Sequence, residues 1–299
     1  MTIEVQSQQT KGNLLGVSAI LLWSTMASLM RLLSEAFGPL GGAALMYTVA
    51  TAVLILAMGW PSLKQFPMRY LVVVGGLFVA YEIALFLALA FAQNRAQAIE
   101  VAMLNHMWPC LTVVLAVLLG LQRASLWLAP GMALSLIGVS WILSGGEGLS
   151  ISNMIENASD NPLSYGLGIS CAFLWAFYCC ISKRLSRGKD AIVPFFAMAS
   201  VVLWIKYAFS NESLAMPDFA GVGLLIATAV VLALGYAAWN KALLTGNLVL
   251  LAATSYVSPV LSSVFSSIIL STTLRLSFWQ GTVMVTAGSL FCWWASRRD

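Results

Sequence analysis

The sequence predicts an all-α, polytopic membrane protein of ten transmembrane helices, built from two inverted five-helix repeats with both termini cytoplasmic. Three observations carry this fold class. Hydrophobic residues make up 60% of the 299-residue chain and charged ones only 9%, against roughly 45–50% and 25% in soluble domains. Apolar runs long enough to span a bilayer, about 20 residues each, fill almost the whole sequence. Finally, the two halves repeat one another at a fixed offset.

The runs fall at about 12–34, 39–60, 70–93, 97–120, 125–144, 163–185, 191–210, 219–243, 247–271 and 277–296. The connections are short, except for a polar stretch from Gly145 to Pro162 that reads as a linker. The expected organisation is a first repeat at 1–145, a linker at 146–161 and a second repeat at 162–299. The first twelve residues are polar and lack the apolar core of a signal peptide, so the first helix is expected to remain in the mature protein. With a cytoplasmic N-terminus, Lys11, Lys64, Arg69, Arg123, Lys183, Arg184, Arg187, Lys189, Lys241, Arg297 and Arg298 lie inside. Only Arg31, Arg95, Lys206 and Arg275 lie outside, a split of 11 to 4 among the 15 basic residues that follows the positive-inside rule. Topology therefore accounts for the net charge of +4, and no basic patch points to nucleic acid. The five cysteines all sit in apolar segments and show neither a disulfide framework nor metal spacing. No cofactor is expected.

Gly16, Trp23 and Arg31 match Gly168, Trp175 and Lys183 at an offset of 152, and Ala92, Pro109, Gly131 and Gly138 match Ala242, Pro259, Gly281 and Gly288 at 150. A repeat of five helices is odd-numbered, so the second copy enters the membrane from the opposite side. Inverted repeats with a binding site near the midplane are a common plan for alternating access.

Taken in order, helix 1 carries Leu22-Trp23-Ser24-Thr25-Met26, and Arg31 near its outer end is expected to snorkel. Helix 2 follows Gly38-Pro39, and Gly41-Gly42-Ala43-Ala44 gives it a small-residue surface for close packing. Helix 3 places Tyr81-Glu82 almost at its centre, and an intramembrane carboxylate is a functional candidate by default. Helix 4 holds Gln97-Ala98-Ile99-Glu100-Val101-Ala102-Met103-Leu104-Asn105-His106-Met107-Trp108-Pro109, with Gln97, Val101, Asn105 and Trp108 on one face. Pro109 removes a backbone donor beside them and loosens the helix. Helices 5 and 10 carry glycine stripes and no central charge, which assigns them to scaffold or subunit contact. Helix 6 aligns Cys171, Trp175 and Tyr178, and helix 8 aligns Tyr236, Trp239 and Asn240. Helix 9 repeats the theme of helix 4 with Ser255, Tyr256, Ser258 and Pro259, followed by serines able to bond back to carbonyls. Aromatic stripes of this kind serve packing as readily as ligand contact, and the two prolines serve as static kinks as readily as gates.

Enzyme chemistry finds little footing. No aspartate lies within a predicted span and no His-Glu-x-x-His motif occurs. The one histidine, His106, has no identifiable serine partner.

Over nearly its whole length the chain resembles the EamA-type drug/metabolite transporter superfamily. Leu22-Trp23-Ser24-Thr25-Met26, Gly38-Pro39, Tyr81-Glu82, Gln97 to Val101, Trp108-Pro109, Tyr236-Ala237-Ala238-Trp239-Asn240, Ser255-Tyr256, Pro259-Val260-Leu261-Ser262-Ser263 and Phe278-Trp279-Gln280-Gly281 together resemble the YddG-type aromatic amino acid exporters of bacterial inner membranes. The resemblance implies a central cavity among helices 1, 3, 4, 6, 8 and 9 and export of phenylalanine, tyrosine or tryptophan. On that expectation Trp175, Tyr178, Tyr236, Trp239 and Tyr256 provide stacking and apolar walls. Glu82 meets the substrate ammonium, Asn105, His106 or Asn240 meets the carboxylate, and Pro109 and Pro259 act as gates. The alternative is proton-coupled efflux of cationic drugs through Glu82. The expected partners are a small-molecule substrate and the bilayer. The oligomeric state is open, and a monomer is compatible with the sequence.

Overall fold

A computed structural model of the protein describes residues 3–120, 128–143, 151–187, 189–214, 218–245 and 255–295. The starts of the fifth and ninth predicted spans, the 145/146 boundary, and Arg123, Arg297 and Arg298 of the orientation argument lie outside the described residues. The described chain is helical: α1 (Ile3–Ser24), α2 (Met26–Phe37), α3 (Pro39–Met58), α4 (Gly75–Ala90, led in by a π-turn at Tyr70–Val74), α5 (Arg95–Asn105), α6 (Trp108–Leu118), α7 (Leu128–Leu143), α8 (Ile151–Asp160), α9 (Pro162–Leu185), α10 (Ile192–Ala208), α11 (Phe219–Thr245), α12 (Ser258–Ile269) and α13 (Leu276–Ala295). Among the described residues, six helical stretches are long and apolar enough to cross a membrane: Thr10–Phe37, Pro39–Met58, Tyr70–Ala90, Arg95–Leu118, Pro162–Ser182 and Phe219–Ala242. Shorter apolar helices cover Ala129–Ile142, Ile192–Ala208 and Ser258–Ile269. The polar stretch read as a linker contains the helix α8.

The chain folds as two compact units, 1–63 with 190–265 and 64–189 with 266–299. In the first unit α1 packs on α11, and α3 packs on α10 and α11. The buried residues of α3, Ala43, Ala44, Met46, Tyr47, Ala50 and Leu54, recur at helical spacing and make one face of its contact. Gly38, at φ +82°, ends α2, and Pro39 starts α3, each at a position suited to its backbone. The Glu212 carboxylate accepts from the backbone N–H groups of Leu40 (3.0 Å) and Gly41 (2.7 Å), satisfying donors that a helix start leaves open. The positive φ favours glycine at position 38, and a Cβ there would also push the Glu212 carboxylate off the helix start. Arg31 does not snorkel. Its Nε donates to Glu35 at 2.9 Å one turn along α2, and the arginine is 9% exposed; a partner within reach on the same helix offsets the charge where it stands.

The second unit contains α4 to α9, α13 and the end of α12. In it α9 packs on α4, α5 and α6, while α13 packs along α7. The helix pair α1/α11 of the first unit is thus matched by α9/α4 here, the same pairing with the sequence halves exchanged. The glycine stripes close the α7/α13 contact: a Cβ at Gly131 or Gly138 would lie 2.9 Å from the Gly288 or 2.8 Å from the Gly281 carbonyl oxygen. Gly131 and Gly281 are counterparts, as are Gly138 and Gly288. Each glycine therefore meets the other's counterpart, the reciprocal pattern that a two-fold relation produces. The sulfurs of Cys110 and Cys292 lie 3.3 Å apart in this unit.

Candidate functional site

The fourth predicted span is not one continuous helix. It divides at His106-Met107 into α5 and α6, because Pro109 has no N–H to give the carbonyl of Asn105. The chain tightens instead, with the N–H of His106 bonding Met103 O (3.0 Å) and that of Met107 bonding Leu104 O (3.2 Å), before α6 resumes. In the second half the chain turns at Tyr256-Val257, ahead of Pro259 and α12. His106 and Tyr256 occupy matching positions 150 residues apart.

Beside the first break, the second unit gathers an aromatic cluster. Tyr81 on α4 lies 4.5 Å from Trp175 on α9 between ring centroids. Trp175 stacks on Tyr178 at 4.7 Å and 17° and meets Trp108, the first residue of α6, edge-on at 6.4 Å. The Tyr178 ring also approaches Phe78 at 5.9 Å. Trp175 and Tyr178, three apart on α9, fall on the same face, as the periodicity predicts. The Asn105 Nδ2 donates to the Tyr81 hydroxyl at 3.2 Å. Its Oδ1 is buried with no hydrogen-bond partner, which is uncommon for a polar atom. A tyrosine hydroxyl both donates and accepts, so the amide can turn either end to a ligand while keeping that bond. Glu82 is 1% exposed. Glu100 accepts from Tyr165 Oη at 2.8 Å. Gln97 Oε1 accepts from the Gln93 N–H (2.7 Å) and Asn161 Nδ2 (2.9 Å), tying α5 to the start of α9.

The first unit holds the other predicted residues. Tyr236 and Trp239 of α11 lie 5.1 and 5.3 Å from Trp23 of α1, and Tyr236 also meets Phe196 edge-on at 5.2 Å. Tyr256 is 7% exposed in the second helix break. Asn240 donates through Nδ2 to the carboxylate of Asp190, which in turn accepts from the Ile192 N–H at 3.0 Å and caps α10. The amide expected at a substrate carboxylate thus serves a carboxylate of the chain itself. Asp190 lies between helices, and burial holds its pKa above the ordinary carboxylate value despite both hydrogen bonds.

These clusters also contain Trp23, Tyr81 and Trp108, side chains to which the sequence assigns no role of their own. Their signal was present in the offset pairing of Trp23 with Trp175 and in the placement of Trp108 on the Asn105 face. The Asp190–Asn240 bond carried no such signal, since those residues are 50 apart.

Helices long and apolar enough to cross a membrane, one of them broken at His106 beside an aromatic cluster, fit a membrane transporter. The EamA-like transporter family model matches residues 10–144 and again 163–294. The chain belongs to that family. It is 43% identical over 288 residues to the aromatic amino acid exporter YddG of Salmonella typhimurium and 42% identical to that of Escherichia coli, covering 96% of this chain and 98% of each relative. The aromatic amino acid exporter YddG of Ancylobacter novellus is 28% identical, over 85% of this chain and 87% of the relative. A crystal structure 21% identical matches with a TM-score of 0.67 over 97% of this chain and 100% of that one, which supports the fold.

Proposed function

We propose that this multi-pass protein exports aromatic amino acids across a bacterial inner membrane by alternating access, crossing it ten times with both termini cytoplasmic. The names of the 43% and 42% identical relatives support the substrate class, and the split of basic residues supports the orientation. The observation that carries the reading is the Tyr81–Trp175–Tyr178 stack with the unpartnered Asn105 oxygen at its edge.

In this reading the substrate ring packs against Trp175 and Tyr178. Aromatic pairs contribute roughly 0.5–1.5 kcal/mol each beyond buried area, an amount that permits release. The Asn105 oxygen is an acceptor as it stands, so it suits the ammonium rather than the carboxylate, with Glu82 supplying negative charge. His106 in the helix break serves the carboxylate. Tyr236, Trp239 and Tyr256 are the aromatic contacts of the first unit, and Pro109 and Pro259 set the points where their helices bend during transport. Asn240 instead holds Asp190.

The near-complete burial of Glu82 favours one second reading, proton-coupled efflux of cationic drugs, because such a carboxylate exchanges proton for cation. Uptake of labelled tryptophan into proteoliposomes separates the two. Competition by phenylalanine and tyrosine but not by a quaternary ammonium compound supports amino acid export, and the reverse pattern supports drug efflux.

A further inference from the structure

The Trp23 indole occupies an unusual seat in the first unit. Its pyrrole edge lies against Gly235 of α11, where a Cβ would stand 2.7 Å from Nε1 and 2.9 Å from Cδ1. Any other residue at position 235 would displace the ring. The indole N–H is buried there with no acceptor, although a buried indole usually finds one. Ring contacts with Tyr236 and Trp239 hold the seat, while the unmet hydrogen bond opposes it.

The backbone beside Trp23 is also broken. α1 stops at Ser24 and α2 starts at Met26, with Thr25 making a tight turn to Leu22 O through its N–H (3.1 Å) and its hydroxyl (2.8 Å). Ser24 and Ser28 bond back to Ile20 O (2.7 Å) and Thr25 O (2.8 Å), contacts that bend a helix and loosen its ladder. The indole thus sits without an acceptor for its N–H, next to a break in its own helix.

We propose that Gly235 is a positioning residue that seats the Trp23 indole in the cargo-free protein, and that an amino acid draws the indole off this seat by giving its N–H a carboxylate acceptor. The proposal rests on the amino acid export reading. Cargo binding then includes the cost of unseating the ring, and the bare backbone at Gly235 lets the ring return once cargo leaves.

The test uses full-length protein in proteoliposomes, labelled with 5-fluorotryptophan, with the Trp23 signal assigned by its loss in Trp23→Phe. Fluorine spectra are recorded alone, with phenylalanine, and with phenethylamine, which lacks the carboxylate. Phenylalanine should shift or split the Trp23 signal, and phenethylamine should leave it in place. Gly235→Ala should shift the signal without cargo. It should also lower KM for phenylalanine severalfold, because the unseating cost is removed, and lower Vmax with it, because the ring cannot return. Trp23→Phe, which keeps an aromatic ring but cannot donate, should raise KM for phenylalanine and leave competition by phenethylamine unchanged. A Trp23 signal that neither phenylalanine nor Gly235→Ala moves would overturn the proposal. So would a Gly235→Ala variant with wild-type KM and Vmax, or a Trp23→Phe variant that handles both compounds like wild type. Absence of phenylalanine flux in wild type would contradict the export reading instead, and the Gly235→Ala spectrum would still report on the seat.

Discussion

The hydroxyls of Thr48 and Ser200 lie 2.8 Å apart, and the two residues hold the same position in the two halves of the chain, 152 residues apart like Trp23 and Trp175. Two equivalent residues can touch only where the repeats' pseudo-symmetry axis passes, so this hydrogen bond marks that axis within the first unit. Within the second unit taken by itself, Ser135 Oγ likewise donates to the carbonyl of its counterpart at offset 150, Val285.

The Thr48–Ser200 bond should be measurable. Hydrogen bonds between membrane helices average about 0.6 kcal/mol in double-mutant cycles, and the cycle of Thr48→Val with Ser200→Ala should give a coupling of that order in detergent unfolding. Thr48→Val should cost more than Ser200→Ala, because Thr48 also accepts from Trp204 Nε1 at 2.9 Å.

The α7/α13 contact depends on missing side chains. At Gly138 a Cβ would stand 2.8 Å from the Gly281 oxygen and 2.9 Å from the Val285 nitrogen. These are backbone atoms that cannot turn aside, so Gly138→Ala should lose about 1–3 kcal/mol, the usual range for overpacking. Gly76, with nothing within 4 Å of its absent Cβ, is the internal control. Gly76→Ala in α4 should leave the melting temperature unchanged or raise it. Equal effects at the two positions would show that the backbones do not meet closely.

The all-helical, membrane-spanning character is legible because burial in lipid demands apolar length, and length survives in sequence without any knowledge of contacts; among the described residues six helices have that length. The small-residue stripes of helices 5 and 10 point to scaffold or subunit contact, and they pack on each other. Partners within the site were less accessible. Asn240 and Trp239 are adjacent in sequence, yet one bonds a carboxylate and the other faces Trp23; only the packing of α11 decides between those fates. The break in the fourth span falls where its polar residues sit, the place at which Pro109 is expected to loosen the helix. Proline acts on the carbonyl four residues before it, so the chain turns at His106 and not at Pro109.

Asp190 gives a pH prediction with a definite sign. Burial raises its pKa in the folded protein above the unfolded value, so the folded state holds the proton more tightly. That contribution to stability is fully present below the unfolded pKa and is lost as pH rises through the folded one. Asp190→Asn should therefore flatten the fall in melting temperature across that interval. Asn240→Leu, which removes a donor from the carboxylate, should lower the melting temperature most at the alkaline end. A wild-type profile that rises with pH there would contradict the assignment.

The central claim is that the stack around Trp175 binds the substrate ring. Its most direct test is counterflow of radiolabelled tryptophan into proteoliposomes, comparing wild type with Trp175→Ala and Trp175→Phe. Loss of one aromatic contact corresponds to about a two- to tenfold weaker apparent affinity. The account predicts a rise of that size in KM for Trp175→Ala, largely restored by Trp175→Phe, with phenylalanine competing in all three. Wild-type KM in the Trp175→Ala protein would contradict it.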